Sequence, residues 1–238
     1  MLTESFKMET ISHSDDLPEM ALRRSEDGSS TLYRADLDEH YHSFHGAIQE
    51  SRHVFMEAGL KALAPKGDFS VLEVGFGTGL NALLTLCEKP EGTRVYYRAI
   101  EKYPVPKALS AQINYPGLLG GPEVLDWFRA MHNAEWNADV AVHPEFVLHK
   151  QLGALEDFKT AQRFDLLYFD AFAPDKQPEL WSTSIFAALF ACLKPGGIMT
   201  TYSAKGAVRR SLQEVGFEVE RLPGPPGKRQ MLRARKVG

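Results

Sequence analysis

Short apolar runs alternate with helical patterns between Phe69 and Ser203, and this alternation constrains the fold more than any other feature. Such alternation builds a parallel sheet through right-handed crossovers, with helices on both faces. The predicted strands are centred on SVLEVGF, TRVYYRAIE, PEFVLHKQL, FDLLYFDAF and GIMTTYSA. Two last strand-like runs, FEVERLPG and KRQMLRARK, flank a Pro/Gly loop and predict an antiparallel addition at one edge. The sequence therefore predicts a doubly wound, mostly parallel α/β sheet.

The residues before this alternation have a different character. Residues 1–30 are polar and rich in turn-forming residues, which predicts a loose arm or an edge hairpin. From Tyr41 to Leu63 apolar residues recur at three- and four-residue steps, which predicts a helix that ends at Pro65 and Gly67. We therefore predict an N-terminal arm with a helical extension over residues 1–64 and a main domain over residues 65–238.

The composition is that of an ordinary globular protein, with 44% apolar and 24% charged residues among 238. No apolar run reaches about 18 residues, so a transmembrane helix and a membrane partner are excluded. The first residues lack the apolar stretch of a signal peptide. Because only Cys87 and Cys192 are present, a disulfide framework is excluded as well. We predict a cytoplasmic protein with reduced cysteines, and the sequence implies no stable protein partner.

Charge is distributed unevenly along the chain. The segment from Ser203 onward has nine Lys or Arg residues and three Glu, a net charge of +6, whereas the whole chain carries −4. A basic segment attached to an acidic body favours a polyanionic partner such as a nucleic acid. A solvated basic last strand explains the same pattern equally well.

A glycine-rich turn, VLEVGFGTGLN, follows the first predicted strand of the main domain. Its glycines at positions 75, 77 and 79 permit positive φ and let backbone N–H groups approach a ligand closely. A dinucleotide-binding fingerprint needs a small residue at its sixth position, where this chain has Leu80. Glu101, which ends the next predicted strand, can accept two hydrogen bonds from a ribose diol. Both NAD and S-adenosylmethionine (SAM) present that diol, so the pattern predicts a nucleoside cofactor.

The segment FDLLYFDAFAPDKQPELWS is the most informative part of the chain. Asp170 ends the most apolar predicted strand, and ligands in open α/β sheets lie beyond the carboxyl ends of the strands. Phe172 and Pro174 follow and supply an apolar wall. We therefore expect a raised pKa for Asp170 and a hydrogen bond from this carboxylate to a substrate amine. The alternative is a carboxylate that caps the following turn.

Longer strings carry a resemblance to known families. The G-x-G-x-G spacing after Glu73 resembles the first motif of class I SAM methyltransferases. The methyltransferase module of the MnmC family is closely similar to DAFAPDKQPELW, LKPGG, TYSAKGAVRRSLQEVGF, GKRQML and DGSSTLYRADLDEHYHSFHGAIQESRHVFMEAGL. This resemblance runs from about Asp27 to about Arg235. It implies a Rossmann-like class I SAM-methyltransferase fold with an N-terminal extension.

The same resemblance implies a function. MnmC-type methyltransferase modules transfer a methyl group from SAM to the primary amine of 5-aminomethyl-2-thiouridine, at the wobble position of tRNA. The product is 5-methylaminomethyl-2-thiouridine, and the expected partner is the anticodon stem-loop of tRNA. Because the chain ends just after the module, the resemblance implies a stand-alone form that uses neither flavin nor metal.

Roles for individual residues follow from the resemblance as expectations. Asp170 is the expected catalytic residue. The expected cofactor-binding residues are Glu73, Gly75, Gly77, Gly79, Asn81, Glu101 and Asp170. The residues expected to bind substrate or tRNA are Tyr41, Ser51, Phe172, Lys176, Lys205, Arg209, Arg210, Lys228 and Arg229. The adenine contact stays open between the backbone near Gly153 and the carboxylates of Glu156 and Asp157.

Several aromatic and histidine residues have two interpretations. His40, His42, His45 and His53 cluster in the sequence, but a helix face or a substrate entrance explains them better than a metal site. Phe172, Trp181 and Tyr202 are candidates for stacking on an extruded base, with Trp181 better explained as core.

Two other functions stay open. Methyl or aminopropyl transfer to a small-molecule amine, as in spermidine synthases, needs a similar fold and a similar strand-end Asp. The basic C-terminal segment and the lack of a second acidic group for binding an amine favour tRNA instead. A non-catalytic SAM- or RNA-binding module is disfavoured by the intact glycine-rich turn and by Asp170.

Overall fold

The computed structural model describes residues 17–238, so the arm predicted for residues 1–30 lies partly outside the described residues. The strands are β1 (Met20–Arg24), β2 (Ser30–Arg34), β3 (Glu39–His40), β4 (Phe69–Val74), β5 (Val95–Glu101), β6 (Asp139–His143), β7 (Phe146–Leu152), β8 (Phe164–Phe169), β9 (Leu193–Thr201), β10 (Phe217–Pro223) and β11 (Gln230–Lys236). The helices are α1 (Ala47–Ser51), α2 (Leu80–Glu88), α3 (Lys107–Ser110), α4 (Tyr115–Leu119), α5 (Pro122–Asn133), α6 (Thr183–Cys192) and α7 (Gly206–Glu214). A π-helical segment, Arg52–Lys61, continues α1.

An eight-stranded sheet forms the centre of the molecule, in the order β10-β11-β9-β8-β4-β5-β7-β6. The five strands β9, β8, β4, β5 and β7 run parallel, which confirms the predicted parallel sheet. The closing pair β10 and β11 is antiparallel and joins β9, as predicted. The sequence analysis missed β6, a short edge strand that forms an antiparallel hairpin with β7.

Helices cover both faces of this sheet, which confirms the doubly wound architecture. On one face, the segment 47–61 packs with α2 and α5 against strand residues such as Tyr97 and Tyr168. On the other face, α6 and α7 pack against residues such as Leu72 and Phe169. Every residue of β4 is buried, as expected for the strand at the centre of such a sheet. The chain turns to opposite sides of β4, since its neighbours are β5 and β8, and ligands of open sheets bind at such a point.

The N-terminal residues form a separate three-stranded antiparallel sheet of β1, β2 and β3. The hairpin of β1 and β2 agrees with one of the two alternatives for the described part of the arm. The predicted helix begins at Ala47 rather than at Tyr41, so this expectation was wrong by six residues. The helix cannot extend further back because Gly46 has a φ of +145° and the Ser43 N–H is bound to a side chain within α1.

The helical extension shares the core of the central sheet. Gly59 lies so close to the sheet that an added Cβ would be 3.2 Å from the Tyr168 ring. The division between residues 1–64 and 65–238 stays a prediction. Within residues 17–238, no helix is both long and apolar enough to cross a membrane.

Candidate active site

A cavity of about 510 Å³ opens at the carboxyl ends of the central strands, where the sheet topology predicts a ligand. Its walls come from the glycine-rich turn after β4, the loops after β5, β7 and β8, and the N-terminal sheet with α1. Tyr202 after β9 and Lys228 between β10 and β11 complete the lining. Seven carboxylates line it: Asp38, Glu39, Glu50, Glu101, Glu156, Asp170 and Glu179. Only three Lys or Arg side chains do so among the described residues: Arg34, Lys102 and Lys228. The cavity is therefore acidic, in contrast to the basic C-terminal segment.

The glycine-rich turn requires glycine for steric reasons. Gly75, Gly77 and Gly79 have φ values of +87°, +50° and +75°, a region that other residues rarely adopt. A Cβ on Gly75 would lie 2.7 Å from the backbone oxygen of Asp170, and one on Gly77 would lie 3.0 Å from the Tyr41 ring. The turn is thus held tightly between the end of β8 and the N-terminal sheet.

Glu101 orders the neighbouring backbone. One carboxylate oxygen accepts a hydrogen bond from the Gly77 N–H at 2.9 Å, and the other accepts one from the Tyr103 N–H at 2.8 Å. Burial raises the pKa of Glu101, and these N–H donors partly offset the increase. Each oxygen keeps a lone pair for a further donor. We call Gly75, Gly77, Gly79 and Glu101 the glycine side of the cavity.

The Asn81 side chain bridges two carboxyl groups at the edge of the cavity, one of which, Asp170, lines it. The side-chain amide of Asn81 donates to Glu73 Oε1 at 3.0 Å and to Asp170 Oδ2 at 2.8 Å. Glu73 is fully buried, and burial raises its pKa well above the usual value, which favours the protonated acid. Three predicted site residues therefore meet in one network, in which Glu73 supports Asn81 and Asp170 from below rather than facing the cavity.

Asp170 has the raised pKa that the sequence predicts. Burial raises the pKa of this carboxyl group from 3.8 to about 7, and the charge of Glu50 contributes to the increase. The Asn81 hydrogen bond and the charge of Lys228 act in the opposite direction. Asp170 lines the cavity, so it combines access to a ligand with a pKa suited to accepting a proton near neutral pH.

Opposite the turn, Glu50 and Lys228 form an ion pair inside the cavity. Lys228 Nζ also lies 3.9 Å from the centre of the Tyr202 ring. We call Glu50, Asp170, Tyr202 and Lys228 the lysine side of the cavity. Glu50 is thus a second carboxylate in the cavity beside Asp170, whereas the expected lack of a second acidic amine-binding pocket stays a prediction. The fold brings Glu50 and Asp170 together although 120 positions separate them, and their spacing in the sequence carries no such signal.

The N-terminal sheet closes the cavity from above. Arg34 is 3% exposed and forms a bidentate pair with Asp36, with N–O distances of 2.8 and 2.6 Å. Its guanidinium lies over the rings of Tyr103 and Phe172, at 5.0 and 5.5 Å. The Tyr41 ring also packs edge-on against Phe172, with centroids 5.0 Å apart. Sequence analysis selected Tyr41 and Phe172 as substrate or tRNA contacts, which stays a prediction, and it did not select Arg34.

Other predicted residues lie elsewhere. Ser51 is fully buried, does not line the cavity, and its hydroxyl has no hydrogen-bond partner among residues 17–238. Lys176 donates to the backbone oxygen of Asp38, and Lys205 pairs with Asp175 in the loop after β8. Three arginines are at the surface around the carboxyl edge of the sheet: Arg209, Arg210 and Arg229.

The remaining aromatic and histidine candidates are either core residues or cavity residues. Trp181 is 6% exposed and its indole N–H donates to the Phe172 oxygen, so it is a core residue. His42 lines the cavity, shares a 2.9 Å hydrogen bond with Thr78, and has a pKa lowered by burial to about 4. It is therefore a neutral imidazole at neutral pH. The described part of the chain contains no group of three or more potential metal ligands.

A family model described as S-adenosyl-L-methionine-dependent methyltransferase matches residues 130–237. Among curated proteins, the bifunctional tRNA 5-methylaminomethyl-2-thiouridine biosynthesis protein MnmC of Pseudomonas aeruginosa is 37% identical over 213 residues. MnmC of Cupriavidus necator is 34% identical over 214 residues. The chain belongs to the S-adenosyl-L-methionine-dependent methyltransferases. These alignments cover 81% and 84% of this methyltransferase, which spans about a third of the length of the curated relatives it matches.

Solved structures support the same assignment. MnmC2 of Aquifex aeolicus is 26% identical and superposes with a TM-score of 0.75, over 94% of this methyltransferase and 73% of that chain. Spermidine synthase of Thermotoga maritima is 14% identical with a TM-score of 0.58, over 94% and 70% of the two chains, and shares the fold alone. The Rossmann-like class I methyltransferase fold predicted from the sequence is confirmed, and so is the relationship to MnmC.

Proposed function

We propose that this methyltransferase transfers the methyl group of SAM to the primary amine of 5-aminomethyl-2-thiouridine at the wobble position of tRNA. The observation that carries the proposal is the position of Asp170, a carboxyl group with a pKa of about 7 that lines an acidic cavity beside the glycine-rich turn. The MnmC relatives, which are named for the synthesis of the methylaminomethyl nucleoside in tRNA, indicate the acceptor.

The glycine side has the groups that SAM requires. Both oxygens of Glu101 are oriented by backbone N–H groups and keep lone pairs for a ribose diol. Gly75 and Gly77 line the cavity and are the proposed neighbours of the methionine part of the cofactor. Gly153 and Glu156 line the same cavity and are the proposed neighbours of adenine. The backbone N–H of Gly153 already donates to the Glu101 backbone oxygen, so this donor is engaged, and we propose the Glu156 carboxylate as the acceptor for the adenine amino group.

The lysine side performs the acid–base chemistry. SAM, when bound, supplies an electrophilic methyl group on a cationic sulfonium. An amine attacks only through its neutral lone pair, so the substrate ammonium must first lose a proton. Asp170 accepts that proton at a carboxylate oxygen, and the Asn81 amide holds the carboxylate in position. The acidic walls favour the cationic product nitrogen, and this reaction requires neither flavin nor metal.

The proposed partner is the anticodon stem-loop of tRNA, approached from the carboxyl edge of the sheet. Arg209, Arg210 and Arg229 lie around that edge, at the start of α7 and in the loop before β11. The acidic cavity repels phosphates, whereas these surface arginines attract them. The wobble base and the phosphate backbone of the tRNA are thus expected to bind to different parts of the protein. A cytoplasmic location follows from this substrate.

Nucleoside mass spectrometry tests the proposal. The protein is incubated with SAM and with tRNA from cells that lack this methylation, and the tRNA is then digested. We expect conversion of the 5-aminomethyl nucleoside to the 5-methylaminomethyl form. Putrescine and spermidine, offered in parallel, test the small-molecule alternative. Absence of conversion of the tRNA nucleoside, with SAM binding established by calorimetry, would refute the proposed acceptor.

A further inference from the structure

The lysine side of the cavity already contains a cation, the ammonium group of Lys228. Its Nζ lies 3.9 Å from the centre of the Tyr202 ring and pairs with the carboxylate of Glu50. A cation over an aromatic face is attracted by the ring quadrupole, and a buried carboxylate requires a positive partner. Glu50 and Tyr202 therefore form a site whose chemistry selects an ammonium group.

The fold holds both walls of this site in place. Glu50 is 6% exposed, and its second oxygen accepts the Ser43 N–H at 2.7 Å, so the carboxylate cannot turn away. The Tyr202 hydroxyl donates to the Ala171 backbone oxygen at 2.8 Å, which fixes the ring next to Asp170. Ser43 precedes α1, and Ala171 follows β8, so two remote segments converge on the same site.

Lys228 is the less constrained member of the group. Its side chain is 34% exposed, whereas that of Glu50 is 8% exposed. It lies in the loop between β10 and β11, where its backbone N–H donates to the Pro225 oxygen at 2.9 Å. The lysine side chain can therefore leave the site while its loop and both walls stay in place.

We propose that Glu50 and Tyr202 form a subsite for the protonated amine of the substrate, beside Asp170, and that Lys228 fills this subsite until the substrate displaces it. The inference rests on the proposed function for the identity of the amine. The sequence analysis expected Lys228 to strengthen substrate binding as a tRNA contact. In this proposal Lys228 competes with the substrate amine and therefore weakens substrate binding. An ammonium group in this subsite has Asp170 within reach to take its proton.

Calorimetric binding of nucleosides, in the presence of S-adenosylhomocysteine, tests the subsite. The charged probe is 5-aminomethyl-2-thiouridine, and the uncharged control is 5-hydroxymethyl-2-thiouridine. Lys228→Met removes the internal cation and keeps most of the side-chain length. We expect this variant to bind the charged nucleoside about tenfold more tightly than wild type, with no change for the control. Lys228→Arg, which keeps the cation, is expected to bind as wild type does.

Two further variants complete the design. Glu50→Gln in the Lys228→Met background is expected to reverse the tenfold gain, because the anionic wall is then lost. Lys61→Met, at an exposed lysine that pairs with Glu57, is the control and should leave all affinities unchanged. Unchanged or weaker binding of the charged nucleoside to a folded Lys228→Met variant would overturn the proposal, since Lys228 would then be a substrate contact or a bystander.

A simple amine separates this inference from the proposed function. Benzylammonium carries the cation without a nucleoside. If wild-type protein methylates no tRNA but Lys228→Met binds benzylammonium about tenfold more tightly than wild type, the proposed acceptor fails and the subsite stands. If wild-type protein methylates the tRNA nucleoside but Lys228→Met gains affinity for neither charged probe, the acceptor stands and the subsite fails.

Discussion

The glycine side and the lysine side of the cavity present different kinds of chemical group. On the glycine side, backbone dominates: Glu101 accepts one N–H from the glycine-rich turn and one from the loop after β5. On the lysine side, side chains from four separate parts of the chain meet, namely two carboxyl groups, one ammonium group and one aromatic ring. Backbone donors have fixed positions and do not titrate, whereas the charge of Asp170 depends on its protonation. In the proposed function, nucleoside binding is therefore fixed by the fold and amine selection is set by charge.

The comparison first predicts that damage to the lysine side affects turnover and spares the cofactor. Asp170→Asn keeps the shape and the contact with Asn81 but cannot accept a proton. We expect kcat to fall about 10²- to 10⁴-fold, with the Kd of SAM changed less than about threefold. Asp175→Asn, at an exposed carboxylate of the same loop, is the control. A kcat near wild type in Asp170→Asn would remove the catalytic role.

The pH dependence of turnover sharpens the same contrast. A general base with a pKa of about 7 is increasingly protonated, and hence inactive, as the pH falls below that value. We therefore expect kcat/KM to fall about tenfold per pH unit below about pH 6, a loss of about 50-fold between pH 7 and pH 5. The residual activity of Asp170→Asn should lack this slope. A wild-type profile that stays flat over this range would assign the proton transfer to another group.

Damage to the glycine side should have the reverse effect. Glu101→Gln replaces one acceptor oxygen with an NH₂ group that faces a backbone N–H. A charge-assisted hydrogen bond contributes about 1.5–3 kcal/mol, so we expect a Kd for SAM raised about 10- to 100-fold and kcat at saturating SAM within about threefold. Glu91→Gln, at an exposed turn after α2, serves as the control in the same titration. If Glu101→Gln lowered kcat as much as Asp170→Asn does, the two sides of the cavity would not have separate roles.

The smallest effect is expected outside the cavity. Replacing Arg209, Arg210 and Arg229 by Ala should raise the KM for tRNA about tenfold and flatten its dependence on salt, because fewer counterions are displaced. The Kd for SAM should stay unchanged. A control with Arg94→Ala and Arg163→Ala removes two arginines that precede β5 and β8, at the opposite edge of the sheet. If both sets raise the KM equally, the tRNA does not approach from the carboxyl edge.

The contrast also explains how far the sequence predicted the site. The three glycines of the glycine side lie in one short string, so their spacing alone indicated Gly75, Gly77 and Gly79. Asp170 was predictable because a buried strand ends at it. Five parallel strands and the antiparallel closing pair followed from apolar runs and turn residues in the same way. A site whose residues are close together in the chain can therefore be predicted from the sequence.

The lysine side was not predictable in this way. Glu50 and Lys228 are 178 positions apart, and only the folded chain brings them together. The start of the helix decided which of two adjacent residues faces the cavity, and Ser51 was selected instead of Glu50. That start depends on Gly46 and on the bond from Ser43 N–H to Glu50, which propensity alone does not reveal. Lys228 was selected as a substrate or tRNA contact, which stays a prediction, and the fold places it in the lining of the cavity.

The ion pair of Glu50 and Lys228 also has a consequence for biosynthesis. A nascent chain that has emerged only as far as β9 contains the glycine-rich turn, Glu101 and Asp170, yet it lacks Lys228. The residues that we propose for the nucleoside cofactor are therefore synthesised before the residue that we propose to occupy the amine subsite. The proposed discrimination between amines thus depends on one of the last segments of the chain to be synthesised.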